Sequence, residues 1–401
     1  MKIIIAGAGE VGYHLASMLA DEEQDIYLVD RNEDRLSYIQ SKIDVFTIRG
    51  DAKSISVLQE AKIKDCDLLI AVTSNEETNF LICVLGKKLG AKRTIARFTN
   101  SEIIDFGKKQ IFEEIGIDEV ISPVELASKE IIRLVRQSAF TDDFEFEGGR
   151  LSVFGITLDE KSLIVNKSIK DSAYLNPNLN FKPIAVLRGD QTLIPKGDTI
   201  LLNRDIVYFI SVRESINQVL NICGKQCFPI RNIMILGGSK IGVLTAQMLQ
   251  YNFNVVLIER DKQTSRMLAE QLKKTLVVNA DGRDVISLEE EGIENMDAFI
   301  AVTPDSEMNI MSCLVAKSYG VKKTIAGVEN INYINLSHNI GIDTLINKKI
   351  IAASNIFRYI RKGRVSAIAN LHGVDAEIIE FIVGPNSRVT TSAIRDLDFP
   401  K

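Results

Sequence analysis

The sequence predicts an α/β protein with two tandem parallel-sheet domains, each followed by a small α+β domain, the second one truncated. Three observations carry that prediction. A glycine-rich segment, Gly7-Ala8-Gly9-Glu10-Val11-Gly12, recurs as Gly237-Gly238-Ser239-Lys240-Ile241-Gly242. Each copy lies between a short apolar run and a helical pattern, Lys2 to Ala6 before Val11 to Leu19, and Ile233 to Leu236 before Ile241 to Leu249. The residues that follow each loop then recur at a nearly constant offset, so a whole domain is written twice.

A second apolar strand in each half ends on an acid followed by arginine, Leu28-Val29-Asp30-Arg31 and Leu257-Ile258-Glu259-Arg260. That acid lies about 20 residues beyond the loop, where a Rossmann-like fold places its ribose ligand. Glycine lets the backbone approach a pyrophosphate, and the helix N-terminus offers unpaired N–H groups with a partial positive charge. A carboxylate at Asp30 would accept from adenosine ribose hydroxyls and repel a 2'-phosphate, which favours NAD over NADP. Arg31 and Arg260 are open to three readings: adenine stacking, pairing with an extra phosphate, or a solvated surface arginine.

The third strands, Val45 to Ile48 and Leu276 to Val278, lead to Asp51-Ala52 and Asp281-Gly282. These aspartates belong either to the crevice or to helix caps. The fourth strands lead to Ala71-Val72-Thr73-Ser74-Asn75 and Ala301-Val302-Thr303-Pro304-Asp305, with Asn79 and Asn309 in the next helices. Thr94-Ile95-Ala96-Arg97 matches Thr324-Ile325-Ala326-Gly327, and Gly116-Ile117-Asp118 matches Gly341-Ile342-Asp343. Polar residues at the C-terminal ends of such strands are expected to line the ligand crevice.

Ser122-Pro123-Val124-Glu125 reads as a capping box opening a helix to Arg136, with Ala127, Ile131, Leu134 and Val135 on one face. Its counterpart runs from about Lys348 to Arg361 through Ile351, Phe357 and Ile360. These stripes suit packing on their own sheet or on a neighbouring subunit. Thr141 to Gly149 reads as a polar connection into a smaller unit of some 75 residues. In it we expect strands at Leu151 to Leu158, Pro183 to Arg188 and Asp205 to Ile210, a short helix starting at Ser168, and a turn at Ile194-Pro195-Lys196-Gly197-Asp198.

Composition is that of an ordinary globular chain, 46% hydrophobic and 25% charged over 401 residues. No apolar run approaches the roughly 20 residues needed to span a bilayer, and Met1 leads directly into a strand, so a cytoplasmic protein is expected. A net charge of -5 without a dense basic cluster argues against nucleic acid as a partner. The five cysteines, Cys66, Cys83, Cys223, Cys227 and Cys313, are odd in number and lack zinc-ligand spacing, so reduced thiols are expected. His14, His338 and His372 are isolated.

With the doubled loop, Asp30, Asp51, Thr73 and the Ile194 to Asp198 stretch in view, the chain resembles the TrkA family, cytosolic regulatory subunits of bacterial Trk potassium-uptake systems. The resemblance covers essentially the whole chain. It implies tandem RCK nucleotide-binding domains at 1–138 and 230–362, an RCK C-terminal domain at 139–222, and part of another at 363–401. It also implies that Gly7 to Gly12 hold the pyrophosphate, Asp30 the ribose, Thr73 and Ser74 the nucleotide crevice, and Arg97 a phosphate. NAD or NADH would be the ligand, with ATP and ADP as further candidates. The partner would be a membrane potassium channel subunit of the TrkH or TrkG type, gated by a tetrameric ring of this chain that meets the membrane only through that partner.

Two departures mark the second half: Ser239 stands where the first loop has Gly9, and Gly327 where the first half has Arg97. The last unit starts near Ser366 and stops at Lys401, before any match to the Arg188 strand or the Pro195 turn, and is expected to be about half a domain. A nicotinamide-dependent dehydrogenase is the rival reading. Against it, the insert between the repeats is short, and the Tyr38 to Lys42 spacing falls on the helix after Asp30. A nucleotide sensor for another cation transporter is a third.

Overall fold

A computed structural model describes the chain except residues 21, 23, 100–108, 137–142, 179, 190, 226–227, 331–332, 334–340, 362–364, 371–375, 385–386, 394–395 and 398–401. Thr141, Asp142, Cys227, His338 and His372 lie outside the described residues, as do the boundaries at 138/139 and 362/363. The chain forms two compact units, one of Met1–Arg133 with Arg231–Phe357 and one of Leu134–Ile230 with Arg358–Lys401.

The first half of the larger unit alternates strand and helix: β1 (Lys2–Ala6), α1 (Glu10–Ala20), β2 (Asp25–Asp30), α2 (Glu33–Gln40), β3 (Phe46–Arg49), α3 (Ile55–Glu60), β4 (Leu68–Ala71), α4 (Glu76–Leu89), β5 (Arg93–Arg97), α5 (Lys109–Ile115), β6 (Glu119–Ile121) and α6 (Pro123–Arg136). Its sheet is parallel in the order β3-β2-β1-β4-β5-β6. Strand order reverses between β1 and β4, whose ends are in register at Ala6 and Ala71, and the crevice opens at that switch point. Ile3, Ile4 and Ile5 are fully buried, as expected for a parallel strand covered on both faces.

Between the halves comes a small antiparallel sheet of β7 (Asp143–Phe146), β8 (Leu151–Thr157), β9 (Phe181–Arg188), β10 (Gln191–Leu193) and β11 (Ile206–Val212), followed by α7 (Ile216–Ile222). Its strand order is β10-β9-β11-β8-β7. Phe154, Val207 and Phe209 anchor its core with Val219 and Leu220 of α7. Two expectations are corrected. Asp143 to Phe146 form an edge strand, because Phe144 and Phe146 pack on the Val153 and Tyr208 cluster. No α-helix starts at Ser168, which instead bridges Ile200 across a run of turns, with only a 3-10 turn at Ala173–Leu175. Asp205, 1% exposed, holds the Arg188 guanidinium through both carboxylate oxygens at 2.9 and 2.7 Å.

The second half repeats the first, with β12 (Asn232–Leu236), α8 (Lys240–Leu249), β13 (Asn254–Glu259), α9 (Lys262–Gln271), β14 (Leu276–Asn279), α10 (Val285–Glu290), β15 (Ala298–Ala301), α11 (Ser306–Ser318), β16 (Lys323–Gly327), β17 (Thr344–Ile346) and α12 (Lys348–Arg361). The parallel order β14-β13-β12-β15-β16-β17 matches the first sheet. β18 (Val365–Asn370) and β19 (Glu377–Phe381) form a two-stranded antiparallel sheet in the smaller unit.

The long helices α6 and α12 bury much of their apolar faces within the chain. Ser122 Oγ accepts from Glu125 N at 3.2 Å, so the helix start is capped as the sequence predicts. Ala127, Ile131, Leu134 and Val135 are buried, and Ser128 Oγ donates to Ile241 O at the glycine loop of the other half. In α12, Phe357 and Ile360 are buried and Ile351 half-buried. No helix among the described residues is long and apolar enough to cross a membrane.

Candidate functional site

The first glycine loop is shaped by two steric demands. Gly7 leaves β1 with φ +113°, and a Cβ there would press on the Thr73 backbone at 3.0 Å. Gly12 sits against the Gly7 carbonyl, 1.9 Å from where its own Cβ would be. Gly9 is different, since a Cβ there would meet nothing within 4 Å. Its neighbourhood is the open cleft, so any demand for glycine at position 9 comes from what enters the cleft.

That cleft, about 900 Å3, gathers most of the residues singled out in the first half. Gly7, Ala8, Gly9, Glu10 and Val11 line it from the loop, Asp30 and Arg31 from the end of β2, Asp51 from the loop after β3. Thr73 and Ser74 close it after β4, and Arg97 at the end of β5. Gly12 lies beneath the loop, outside the lining. Asp30 accepts from Ala8 N at 2.6 Å and Asn32 N at 2.9 Å. An ionised carboxylate has about four acceptor sites, so capacity for further donors remains. Arg31 is paired with Asp51. Asp51 also accepts from Lys53 N at 3.0 Å and caps no helix, because Ser54 holds the N-cap position of α3. Burial would raise its carboxyl, but the Lys53 amide and the Arg31 guanidinium hold it below the ordinary range.

Behind the lining, Asn79 is 1% exposed and binds the turn together. Its Oδ1 accepts from Thr73 N at 2.9 Å and Oγ1 at 2.6 Å, while its Nδ2 donates to the carbonyls of Thr73 at 3.1 Å and Arg97 at 2.9 Å. Arg97 is half-buried; desolvation draws its guanidinium below the ordinary arginine range, against Glu76 and Glu329, which support the charge. Asp118 and Asp343 serve the sheet rather than the crevice. Each holds a threonine amide near the start of β5 or β16 at 2.7 Å and pairs with a lysine, Lys87 or Lys317.

Among the contributors to this cleft that sequence reasoning missed are two tyrosines and a lysine. Tyr13 and Tyr38 line it from α1 and α2, their rings 6.2 Å apart. The sequence singles out Tyr38 only through its spacing to Lys42 and Tyr13 not at all, and nothing local distinguishes a tyrosine facing solvent from one facing a cleft. The lysine is Lys349 of α12, which reaches the first cleft from the second half.

In the second half the loop repeats the backbone. Gly237 has φ +108°, and a Cβ on Gly242 would lie 2.1 Å from the Gly237 carbonyl. Glu259 accepts from Gly238 N and Asp261 N at 2.8 and 2.7 Å, reproducing the Asp30 pattern with one more methylene. Ser239 Oγ donates to Val302 O at 2.6 Å and accepts from Gly242 N, capping α8. A cleft of about 420 Å3 is lined by Ser239, Lys240, Ile241 and Thr303, together with Arg97, Val124 and Gly327; Gly237, Gly238, Glu259 and Asp281 lie outside that lining. Asp281 is clasped by the Arg283 guanidinium, which holds its carboxyl down at about 2, and the N-cap of α10 is Asp284.

Cys66, Cys83, Cys223 and Cys313 are free thiols, buried, and burial pushes Cys66 up to about 11 and Cys223 to about 12. Such thiols stay protonated at neutral pH. Among the described residues no cluster of three or more histidine, cysteine, aspartate or glutamate side chains is arranged to hold a metal.

The TrkA-N domain family matches residues 3–123 and 233–348, and the TrkA-C domain family residues 153–224. The Trk system potassium uptake protein TrkA of Haemophilus influenzae is 36% identical over 398 residues, covering 98% of this chain and 86% of that protein. The chain belongs to the TrkA family. The TrkA of Vibrio alginolyticus is 33% identical over 406 residues, covering 100% of this chain and 88% of that protein. Among solved structures, the GsuK channel bound to NAD superposes with a TM-score of 0.62 at 16% identity, over 90% of this chain and 63% of that one. The GsuK RCK domain gives the same TM-score over 96% of this chain and 89% of that one. At that identity the likeness concerns the fold, and the TrkA fold here is the doubled parallel sheet with its small antiparallel unit.

Proposed function

We propose that the chain is a cytoplasmic, nucleotide-sensing regulatory subunit of a potassium-uptake system, gating a TrkH- or TrkG-type membrane channel and catalysing no reaction itself. Kinship to a Trk potassium uptake protein over 98% of this chain carries this reading. The first cleft supports it. Its 900 Å3 lies near the upper end of the range of small-molecule sites and suits a dinucleotide. Its charges are sorted: the N-terminus of α1 and Arg97 suit a pyrophosphate, and Asp30 suits ribose hydroxyls. With Arg31 engaged by Asp51, NAD or NADH fits better than a 2'-phosphorylated cofactor, and ATP or ADP use the same adenosine end. Under this reading Gly7, Ala8, Gly9, Glu10, Val11, Gly12, Asp30, Arg31, Asp51, Thr73, Ser74 and Arg97 form the principal site. Gly237, Gly238, Ser239, Lys240, Ile241, Glu259, Asp281 and Thr303 form a divergent second one. The division at 1–138, 139–222, 230–362 and 363–401, and a ring of four chains, belong to the same reading.

Gating by a nucleotide requires that it bind the open and closed assemblies with different affinity. Replacing Asp30 with alanine is expected to weaken ADP and NAD binding by about 10- to 150-fold, the loss of one charge-assisted hydrogen bond of about 1.5 to 3 kcal/mol. Calorimetric titration checks this, and unchanged affinity would take Asp30 out of the site. Membrane pull-down with the tagged chain is expected to recover a potassium channel subunit, and steady NADH consumption with a 2-oxo acid would favour the dehydrogenase.

A further inference from the structure

Each half sends the start of its long helix over the glycine loop of the other. Val124 and Lys349 are the corresponding residues, each second in its helix after a capping side chain, Ser122 or Asn347. Val124 lines the second cleft and Lys349 the first. The symmetric backbone therefore delivers an apolar group to one cleft and a cation to the other.

Lys349 Nζ lies 2.6 Å from Glu10 Oε2 and 2.8 Å from Glu329 Oε2. Its side chain is 23% exposed. Burial opposes its charge, but the two carboxylates outweigh that and hold the ammonium above the ordinary lysine range. Glu10 is the first residue of α1, at the helix end where an anion is favoured. It therefore occupies, as a carboxylate on the rim of the phosphate loop, the electrostatic place a ligand phosphate would take. With its side chain 53% exposed, Glu10 can turn into water at little cost, because pairs this exposed are weak.

We propose that Lys349 is a phosphate ligand supplied by the second half to the first cleft, paired with Glu10 until a nucleotide phosphate displaces that carboxylate. The inference rests on the reading that the first cleft takes adenosine nucleotides. Lys349 stays anchored by Glu329 of its own half, so the phosphate ties α12 to the loop of α1. Binding in one half thereby bears on the position of the other, and the strength of that tie follows the charge of the ligand. Adenosine alone would leave the Glu10 pair in place.

Titration of the full chain with ADP and with adenosine tests this. Lys349→Val, which installs the side chain found at position 124, is expected to weaken ADP roughly tenfold or more and to change adenosine less than about twofold. Lys349→Arg should recover most of the ADP affinity, and Glu10→Gln should tighten ADP. Equal losses for ADP and adenosine, or ADP affinity untouched by Lys349→Val while Asp30→Ala weakens it, would overturn the inference alone. An unsubstituted chain that binds no ADP would overturn the reading of the cleft and the inference with it.

Discussion

Gly12→Ala is expected to destabilise the larger unit by on the order of 3 kcal/mol, because a methyl group there would lie 1.9 Å from the Gly7 carbonyl. The carbonyl belongs to the backbone and the position of the Cβ is fixed by it, so no side chain can turn aside to make room. For a unit of this size that is a fall in melting midpoint of roughly 6 to 12 °C. The strain is relieved only if α1 moves off the loop, which also pulls its N-terminal N–H groups away from the cleft. Gly9→Ala makes the opposite combination. Nothing stands within 4 Å of a Cβ there, so the midpoint should hold while nucleotide affinity falls. Gly9→Ser should behave likewise, since Ser239 already occupies the matching place and caps its helix without strain. Thermal unfolding and titration of the three variants separate the two roles. An unshifted midpoint for Gly12→Ala, or an equal fall for Gly9→Ala, would sink the distinction.

The pattern of the fold was legible because it rests on local signals repeated. Buried parallel strands such as Ile3-Ile4-Ile5 and Ile233-Met234-Ile235 are continuous apolar runs, and the glycine loops mark where strand turns to helix. Part of the first-half cleft was legible for the same reason, as Asp30, Thr73 and Arg97 of its lining sit at or just beyond strand ends. What was hidden depends on contacts between distant segments. Lys349 reads locally as a basic residue opening a helix, and only the crossing of α12 brings it to Glu10, 339 positions away. Asp143 to Phe146 reads as polar because its acids alternate with two phenylalanines that a sheet edge can bury. Ser168 carries the signature of a helix start, and its hydroxyl does accept from Asp171 N at 3.0 Å, but the bridge to Ile200 holds the segment as turns. The divergence of the second half was half visible. Ser239 could be read as a changed residue; that its hydroxyl ties the loop to Val302 could not.

Asn79→Ala is expected to cost on the order of 4 kcal/mol, a larger effect than any single change in the lining. The side chain uses both donors and its oxygen in four hydrogen bonds, and alanine leaves Thr73 N, Thr73 O and Arg97 O without that partner in a part-buried place. Leaving a buried polar group unsatisfied costs about 1 to 3 kcal/mol each, partly recovered where the turn relaxes toward water. Thr73 and Arg97 both line the cleft, so nucleotide affinity should fall together with the melting midpoint. Asn79→Asp should not rescue either one, because a carboxylate would face two carbonyl oxygens where the amide donated. Asn309 makes the same four bonds, to Thr303 and to the Gly327 carbonyl. Asn309→Ala should therefore lower the midpoint by a similar amount while leaving the first cleft's affinity nearly intact. A midpoint unchanged in Asn79→Ala would show that the turn holds without the amide, and equal affinity losses in the two variants would show that the halves do not carry separate sites.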